Sequence, residues 1–197
     1  SVHARLMGGN DYVELITGDS NFVNTNAGND TINLYGQTLL GVGASNVLGG
    51  IGDDRINLHS GTWFGPINGN QGNDHIINYG AIVSELRGGI GNDIIECVTN
   101  NSNSVYGDAG SDTFVLRYDP TLMINDLTQN SNDYMIIMDF NPAEGDLIDL
   151  SDLESPALAG TVPMNAWTRK YDHLNDGVVD TAIGIGDEIA CILFEYA

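Results

Sequence analysis

The stretch GGIGDDRIN at residues 49–57 recurs along this chain with small changes. Close copies read GNQGNDHII at 69–77, GGIGNDIIE at 88–96 and GDAGSDTFV at 107–115, and weaker copies read LMGGNDYVE at 6–14 and TNAGNDTIN at 25–33. All six keep Gly at position 4 of the nonapeptide, Asp at position 6 and an apolar residue at position 8. Six copies in register indicate a repeat array, whereas one Gly-Asp pair is common in any turn.

Apolar residues form three columns in the same frame. Two columns follow the aspartates: Val13, Ile32, Ile56, Ile76, Ile95 and Phe114, then Leu15, Leu34, Leu58, Asn78, Cys97 and Leu116, in which Asn78 is the exception. The third column precedes the loops: Val23, Val47, Ile67, Leu86 and Val105. Alternation with a period of two predicts short strands with one buried face. Each repeat therefore predicts a coil of two strands and two turns.

The nonapeptide G-G-x-G-x-D-x-U-x, with U a large apolar residue, resembles the calcium-binding repeat of the RTX family. This resemblance implies an all-β fold, a right-handed parallel β-roll of about six coils over residues 1–118. Residues 119–197 are then a C-terminal β cap with a secretion-signal segment. DYMIIMDFNPAEGDLIDLSDL at 133–153 resembles the strand, turn and strand that close such rolls, and the stretch from Asp176 resembles the strand-turn-strand that follows.

Calcium takes six to eight oxygen ligands, and glycines let a loop turn several carbonyls toward one point. In the family, each ion lies between two successive loops and takes carbonyl and Asp oxygens from both. The resemblance thus implies up to about five calcium ions in this chain. The candidate ligands are Asp11 and Asp30 with Gly49, Ile51, Asp53, Asp54, Gly69, Gln71, Asn73, Asp74, Gly88, Ile90, Asn92, Asp93, Gly107, Ala109, Ser111 and Asp112. Asp139, Asp146 and Asp149 are either ligands of a further ion or turn residues.

The charge of this chain narrows its partners. With 27 acidic and 6 basic residues the net charge is -21, which argues against binding to nucleic acid or insertion into an anionic membrane. No apolar run is long enough to span a bilayer.

The two cysteines, Cys97 and Cys191, give no disulfide framework, and buried free thiols are the favoured interpretation over a bridge. Catalytic motifs such as G-x-S-x-G or H-E-x-x-H are absent, so the chain is not expected to be an enzyme.

These patterns favour a module that folds on calcium outside a bacterial cell, as a secreted or surface protein. Its expected partners are calcium, upstream domains of the same polypeptide and the type I secretion machinery. Two alternatives stay open: a ligand-binding module, such as an adhesin or carbohydrate-binding part, and the non-catalytic C-terminal part of a secreted hydrolase or polysaccharide epimerase. Ice binding is disfavoured, because the outward residues of the strands form no regular Thr or Asn ladder.

Overall fold

The computed structural model describes residues 2–16, 21–36, 45–98, 104–117, 135–151, 166–171, 179–185 and 188–193. In these ranges every regular element is a strand. The strands are β1 (His3–Arg5), β2 (Tyr12–Ile16), β3 (Phe22–Asn24), β4 (Thr31–Tyr35), β5 (Asn46–Ile51), β6 (Arg55–Ser60), β7 (Thr62–Gln71), β8 (His75–Asn78), β9 (Ile82–Ile90), β10 (Ile94–Val98), β11 (Ser104–Ala109), β12 (Thr113–Arg117), β13 (Met135–Ile137), β14 (Leu147–Asp149), β15 (Ala166–Tyr171), β16 (Asp180–Ile185) and β17 (Glu188–Leu193).

From β1 to β14, successive strands alternate between two sheets, as a β-solenoid requires. Within the described residues, sheet A runs β1-β3-β5-β7-β9-β11-β13-β17-β16-β15 and sheet B runs β14-β12-β10-β8-β6-β4-β2. All pairs in sheet B are parallel, and so are those of sheet A from β1 to β17. The predicted all-β class and parallel coiling are therefore confirmed.

The three apolar columns form the core between the sheets. Ile32, Ile56, Ile76 and Ile95 pair in register across β4, β6, β8 and β10, and each side chain is fully buried. The column of sheet A, from Val23 to Val105, is fully buried at every position. Burial of a large aliphatic side chain contributes about 1.5–3 kcal/mol, so these columns are the main apolar stabilisation of the coils.

The exception in the second column has a structural reason. Asn78 lies at the end of β8 with its side chain buried. Its Oδ1 accepts hydrogen bonds from the amides of Gly80 and Ala81 at 3.0 and 2.7 Å, and its Nδ2 donates to the Ala81 carbonyl at 2.9 Å. A polar residue therefore closes this turn from inside the core. Trp63 is also buried, whereas Phe64 is half exposed.

The C-terminal elements extend the sheets in two ways. β13 and β14 add one parallel strand to each sheet, against β11 and β12. Beyond β13, sheet A continues with β17, and β15, β16 and β17 pair antiparallel. The two strands expected after Asp176 are thus present as β16 and β17, and the turn expected between them lies outside the described residues. The boundary predicted between residues 118 and 119 lies outside the described residues and stays a prediction.

The interpretation of the two cysteines as buried free thiols can be compared with the structure at Cys97. Cys97 is a buried free thiol, and burial raises its pKa to about 12. The side chain of Cys191 lies outside the described part of the chain. No helix in the described ranges is long and apolar enough to cross a membrane.

Candidate metal-binding edge

The nonapeptide loops stack along one edge of the solenoid, where each links a strand of sheet A to the next strand of sheet B. Position 4 of each loop is a glycine at positive φ, for example 136° at Gly72 and 145° at Gly91. A Cβ on Gly72 would overlap the carbonyl oxygen of Gly52, and a Cβ on Gly91 would overlap that of Gly72. Both the dihedral angle and the close approach of successive loops require glycine here.

The position 6 aspartates form a continuous hydrogen-bonded ladder along this edge. In each loop the backbone amide of the position 6 aspartate donates to Oδ1 of the aspartate in the next loop, at 2.7 to 2.9 Å. The ladder runs through Asp11, Asp30, Asp54, Asp74, Asp93, Asp112 and Asp146. The structure therefore brings all six predicted position 6 residues together.

Asp146 was not among the main predicted ligands, although it continues the ladder. It lies at the last turn, two residues before Ile148, which pairs with Phe114 in the first apolar column. The glycine before it, Gly145, stands at position 5 of the frame rather than position 4, so the nonapeptide pattern misses this loop. The apolar residue two places after an aspartate is the signal that could have found it.

Position 5 residues form a second ladder with the opposite direction. From the second loop on, the backbone amide of each position 5 residue donates to Oδ1 of the position 5 residue one loop earlier. The distances are 2.8 Å from Asn73 to Asp53, 2.8 Å from Asn92 to Asn73 and 2.9 Å from Ser111 to Asn92. Asp53, Asn73 and Asn92 thus each use one side-chain oxygen to join successive loops, and Ser111 uses its backbone amide.

Carbonyls at position 3, also predicted as ligands, take part in the backbone network between loops. The carbonyls of Ile51, Gln71, Ile90 and Ala109 accept hydrogen bonds of 2.7 to 2.9 Å from the position 4 amides of the preceding loops. A carbonyl oxygen has two lone pairs, so each of these oxygens keeps one for a further partner. The ligand set as a whole stays a prediction.

The second oxygen of the aspartates is the unusual feature of this edge. Oδ2 of Asp30, Asp54, Asp74 and Asp93 is buried and has no hydrogen-bond partner. Native structures pair nearly all such atoms, because a buried carboxylate oxygen without a donor is costly. Among the described residues no group of three His, Cys, Asp or Glu side chains could hold a metal ion, so any cation here would also need backbone carbonyls.

Glycine at position 1 makes room for that second oxygen. A Cβ on Gly69 would lie 2.6 Å from the Gly88 carbonyl oxygen and closer still to Asp74 Oδ2. A Cβ on Gly49 would lie 2.7 Å from the Gly69 carbonyl oxygen and closer to Asp54 Oδ2. A carboxylate oxygen and the carbonyl oxygen of the next loop therefore converge beside each of these glycines. Two acceptors without a donor between them are the arrangement that a hard cation stabilises.

The electrostatics of the edge agree with this geometry. Burial, which is the largest cause, and the neighbouring carboxylates together raise the pKa of Asp74 and Asp93 to about 7, although the hydrogen bonds from the Asp54 and Asp74 amides lower it. Burial likewise raises the pKa of Asp54 and Asp112 to about 6. Without a counterion, the folded edge therefore holds protons on carboxyls that are ordinarily ionised at neutral pH.

The loop at Gly107 is closed by a residue of the last turn. Asp139 accepts hydrogen bonds from the amides of Gly107 and Asp108, both at 2.9 Å, through its two oxygens. Burial raises its pKa. Both of its oxygens are thus engaged by backbone amides, which is the role of a turn residue and leaves Asp139 less suited to a metal.

Comparison with known proteins leaves the chain without an assigned family. No protein-family model and no curated protein sequence matches it. Among solved structures it is similar to the crystal structure of the extracellular lipase LipA from Serratia marcescens, at 12% identity and a TM-score of 0.22. The match covers 99% of this chain and 38% of the lipase chain. A TM-score this low does not establish a common fold. The class of this protein therefore rests on its own topology, a parallel β-solenoid with Gly-Asp loops stacked along one edge.

Proposed function

We propose that this chain is an RTX-type calcium-binding module that folds when calcium joins its stacked loops. The observation that carries the proposal is the set of buried Oδ2 atoms without partners that lie beside position 1 glycines, on Asp54, Asp74 and Asp93. Each belongs to a carboxylate whose other oxygen is fixed by an amide of the neighbouring loop. Within the folded edge, the hydrogen bond to Oδ1 therefore fixes the direction in which Oδ2 points.

The residues that would hold calcium are the position 6 aspartates and the carbonyls of the adjacent loops. Calcium supplies positive charge and a preference for oxygen, both of which suit converging carboxylate and carbonyl oxygens. The two hydrogen-bonded ladders hold successive loops in register, so that oxygens from two loops face one another. Position 1 glycines keep side chains out of the space beside each carboxylate.

Charge makes folding depend on the ion. A chain of net charge -21 resists compaction, and stacking brings further carboxylates together at one edge. Calcium that binds only the folded chain adds its binding free energy to folding, about 2.7 kcal/mol per site at a hundred times the dissociation constant. Extracellular modules commonly bind calcium at about 10⁻⁴ to 10⁻³ M. We therefore propose that the chain is secreted or on a bacterial surface and folds there.

We propose a non-enzymatic role, in which the folded roll stabilises upstream domains of the same polypeptide after export by type I secretion machinery. The acidity of the chain and the coupling of folding to an ion scarce in the cytosol support this role.

Far-UV circular dichroism of the chain in chelator, followed by titration with calcium and separately with magnesium, tests the proposal. We expect a largely disordered spectrum that becomes β-rich and cooperative with calcium. Magnesium should fail to replace it, because it demands a smaller octahedral site and dehydrates reluctantly. A chain that is folded in chelator and indifferent to calcium would refute the proposal.

A second candidate function, a glycan-binding module, is favoured by the outer face of sheet B. Tyr35, His59 and Tyr79 stack across three successive coils, with ring centroids 4.4 and 5.0 Å apart and nearly parallel planes. Tyr79 is 43% exposed, and Asn33 and Asn57 lie on the same face. A glycan array in saturating calcium, with Tyr79→Ala as the comparison, separates this function from a purely structural one. Absence of binding by the unaltered chain would exclude it.

A further inference from the structure

The second loop of the array differs from the later ones at position 1. Where Gly49, Gly69, Gly88 and Gly107 stand in the later loops, the second loop has Thr25. The Thr25 side chain is fully buried, and its Oγ1 donates a hydrogen bond to the carbonyl oxygen of Gly49. A neutral hydroxyl therefore satisfies a carbonyl of the loop edge.

The corresponding carbonyl in the next junction has a different neighbour. Gly69 O lies beside Gly49, which has no side chain, and Asp54 Oδ2 approaches the same space. At the Thr25 junction this space holds the threonine side chain instead. Asp30 Oδ2 is also buried without a partner, so the carboxylates alone do not distinguish the two junctions. The two junctions differ in the position 1 carbonyl. The Gly49 carbonyl accepts a hydrogen bond from Thr25, whereas the Gly69 carbonyl lies beside the same glycine as the Asp54 carboxylate.

The junction between the first and second loops is also closed by a neutral donor. Asn26 Nδ2 donates to the carbonyl oxygen of Leu6, the position 1 residue of the first loop. Asn26 has a φ of 66°, and its own amide donates to Asn24 Oδ1 at 2.9 Å. The Asn26 side chain is exposed, and its hydrogen bond to Leu6 joins the first two loops.

We infer that Thr25 and Asn26 take the place of calcium at the two N-terminal junctions, so that ion binding begins at the junction of the Gly49 and Gly69 loops. This inference rests on the proposed function and narrows it. The coils from β1 to β4 then form an end of the roll whose loops are joined by hydrogen bonds alone.

Counting bound calcium in variants of the 197-residue chain tests the inference. Thr25→Gly removes the side chain and should add one ion per chain, while Thr25→Gly combined with Asp30→Asn should return the number to that of the unaltered protein. Thr25→Val, which has the same shape without the hydroxyl, should leave the number unchanged. Thr31→Val makes the same chemical change on the outer face of β4 and serves as the control. Equilibrium dialysis with elemental analysis gives the counts.

Hydrogen exchange in saturating calcium supplies a second readout. Amides of residues 2–36 should exchange faster in Thr25→Val than in the Thr31→Val control, because the hydrogen bond to Gly49 is lost. Thr25→Ser keeps the hydroxyl and should restore the protection, and it decides the matter if Thr25→Val does not fold.

Three outcomes would overturn the inference in distinguishable ways. Loss of one ion in Thr25→Val would mean that the hydroxyl is itself a calcium ligand. An unchanged ion count in Thr25→Gly, with calcium still bound by the unaltered chain, would reject this inference and leave the proposed function standing. No calcium bound by the unaltered chain would reject both.

Discussion

At the scale of single residues, the position 1 glycines act through the space that they leave empty. Gly69 lies against both Asp74 Oδ2 and the Gly88 carbonyl oxygen, and one of those atoms belongs to the backbone of the next loop. Neither neighbour is the end of a flexible side chain that could move aside at little cost. A single methyl group at this position would therefore overlap atoms of two successive loops.

We expect Gly69→Ala to destabilise the calcium-bound fold by about 1–3 kcal/mol, the usual cost of overpacking a close contact. Gly8→Ala is the matched control, because its Cβ would meet Ala27 O at 3.6 Å, an ordinary contact. Gly8→Ala should change stability by less than about 0.5 kcal/mol. Urea unfolding in calcium measures both. Similar losses in the two variants would show that the space beside Asp74 is unimportant.

The raised pKa values of the aspartates predict how acid affects the calcium-free fold. Asp74 and Asp93 have a pKa of about 7, against an ordinary value of 3.8. The folded chain therefore holds protons that the unfolded chain has released, and the resulting stabilisation is complete below about pH 4 and lost as the pH rises through about 7. In chelator, a larger fraction of the chain should therefore be folded at about pH 5 than at about pH 8.

Calcium should reverse that dependence on pH, because protons and calcium compete for the same carboxylates. The calcium concentration at the folding midpoint should then rise as the pH falls from about 8 to about 5. Thermal melts followed by circular dichroism, with and without chelator, give both trends. Equal stability at the two pH values in chelator would mean that these carboxyls titrate normally in the fold.

At the scale of loops, the directions of the ladders determine which loops share an aspartate. The Asp74 carboxylate accepts from the Asp54 amide, and the Asp74 amide donates to Asp93, so this residue joins three successive loops. Asp11 begins the described ladder and donates only toward Asp30. Asp74→Asn should keep both hydrogen bonds, since an amide oxygen also accepts, and should lose only the charge. The effect of Asp74→Asn on folding therefore reports the loss of ion binding separately from any loss of hydrogen bonds in the ladder.

We expect Asp74→Asn to raise the calcium concentration at the folding midpoint several-fold, and Asp11→Asn to leave it nearly unchanged. The reason is that Asp74 lies between two candidate sites, whereas Asp11 lies at the end of the array. Calcium titrations of both variants at one protein concentration supply the comparison. The shared-ligand model does not survive if the two midpoints coincide.

Asn78 offers a test of the turn that follows β8. Its column is otherwise apolar, so the sequence pattern alone favours Asn78→Leu as a stabilising change. The structure gives the opposite expectation, because the variant would lose three hydrogen bonds and leave the turn groups of Gly80 and Ala81 without them. Buried groups without partners cost about 1–3 kcal/mol each, so a clear loss of stability is expected in denaturant unfolding. A more stable Asn78→Leu would contradict this account.

Sequence periodicity was sufficient for the strands of the coils, because one repeat places Ile56, Ile76 and Ile95 in register without further information. It was not sufficient where the period ends. The parallel pairing of β13 with β17 joins segments more than fifty residues apart along the chain, and no repeat specifies that partner. The opposite directions of the two ladders, and the use of Thr25 at position 1, also depend on atomic positions that the nonapeptide pattern does not contain.

At the scale of the whole molecule, two effects of calcium need to be separated: general screening of the net charge of -21 and specific filling of the loop edge. Salt at about 1 M reduces the Debye length to about 3 Å and so removes most repulsion between exposed charges. It offers no ligand to the buried oxygens of Asp54, Asp74 and Asp93. Screening alone should therefore contract the chain without ordering its coils.

We accordingly expect sodium chloride at about 1 M, in chelator, to reduce the radius of gyration below the roughly 48 Å of an unfolded chain of this length. It should not restore the cooperative unfolding transition, whereas millimolar calcium at low salt should restore it, since about 10⁻⁴ to 10⁻³ M suffices for extracellular modules. Small-angle scattering and thermal melts on the same samples separate the two effects. A cooperative transition in salt without calcium would mean that repulsion alone prevents folding, and the partnerless carboxylate oxygens would then be tolerated as protonated groups.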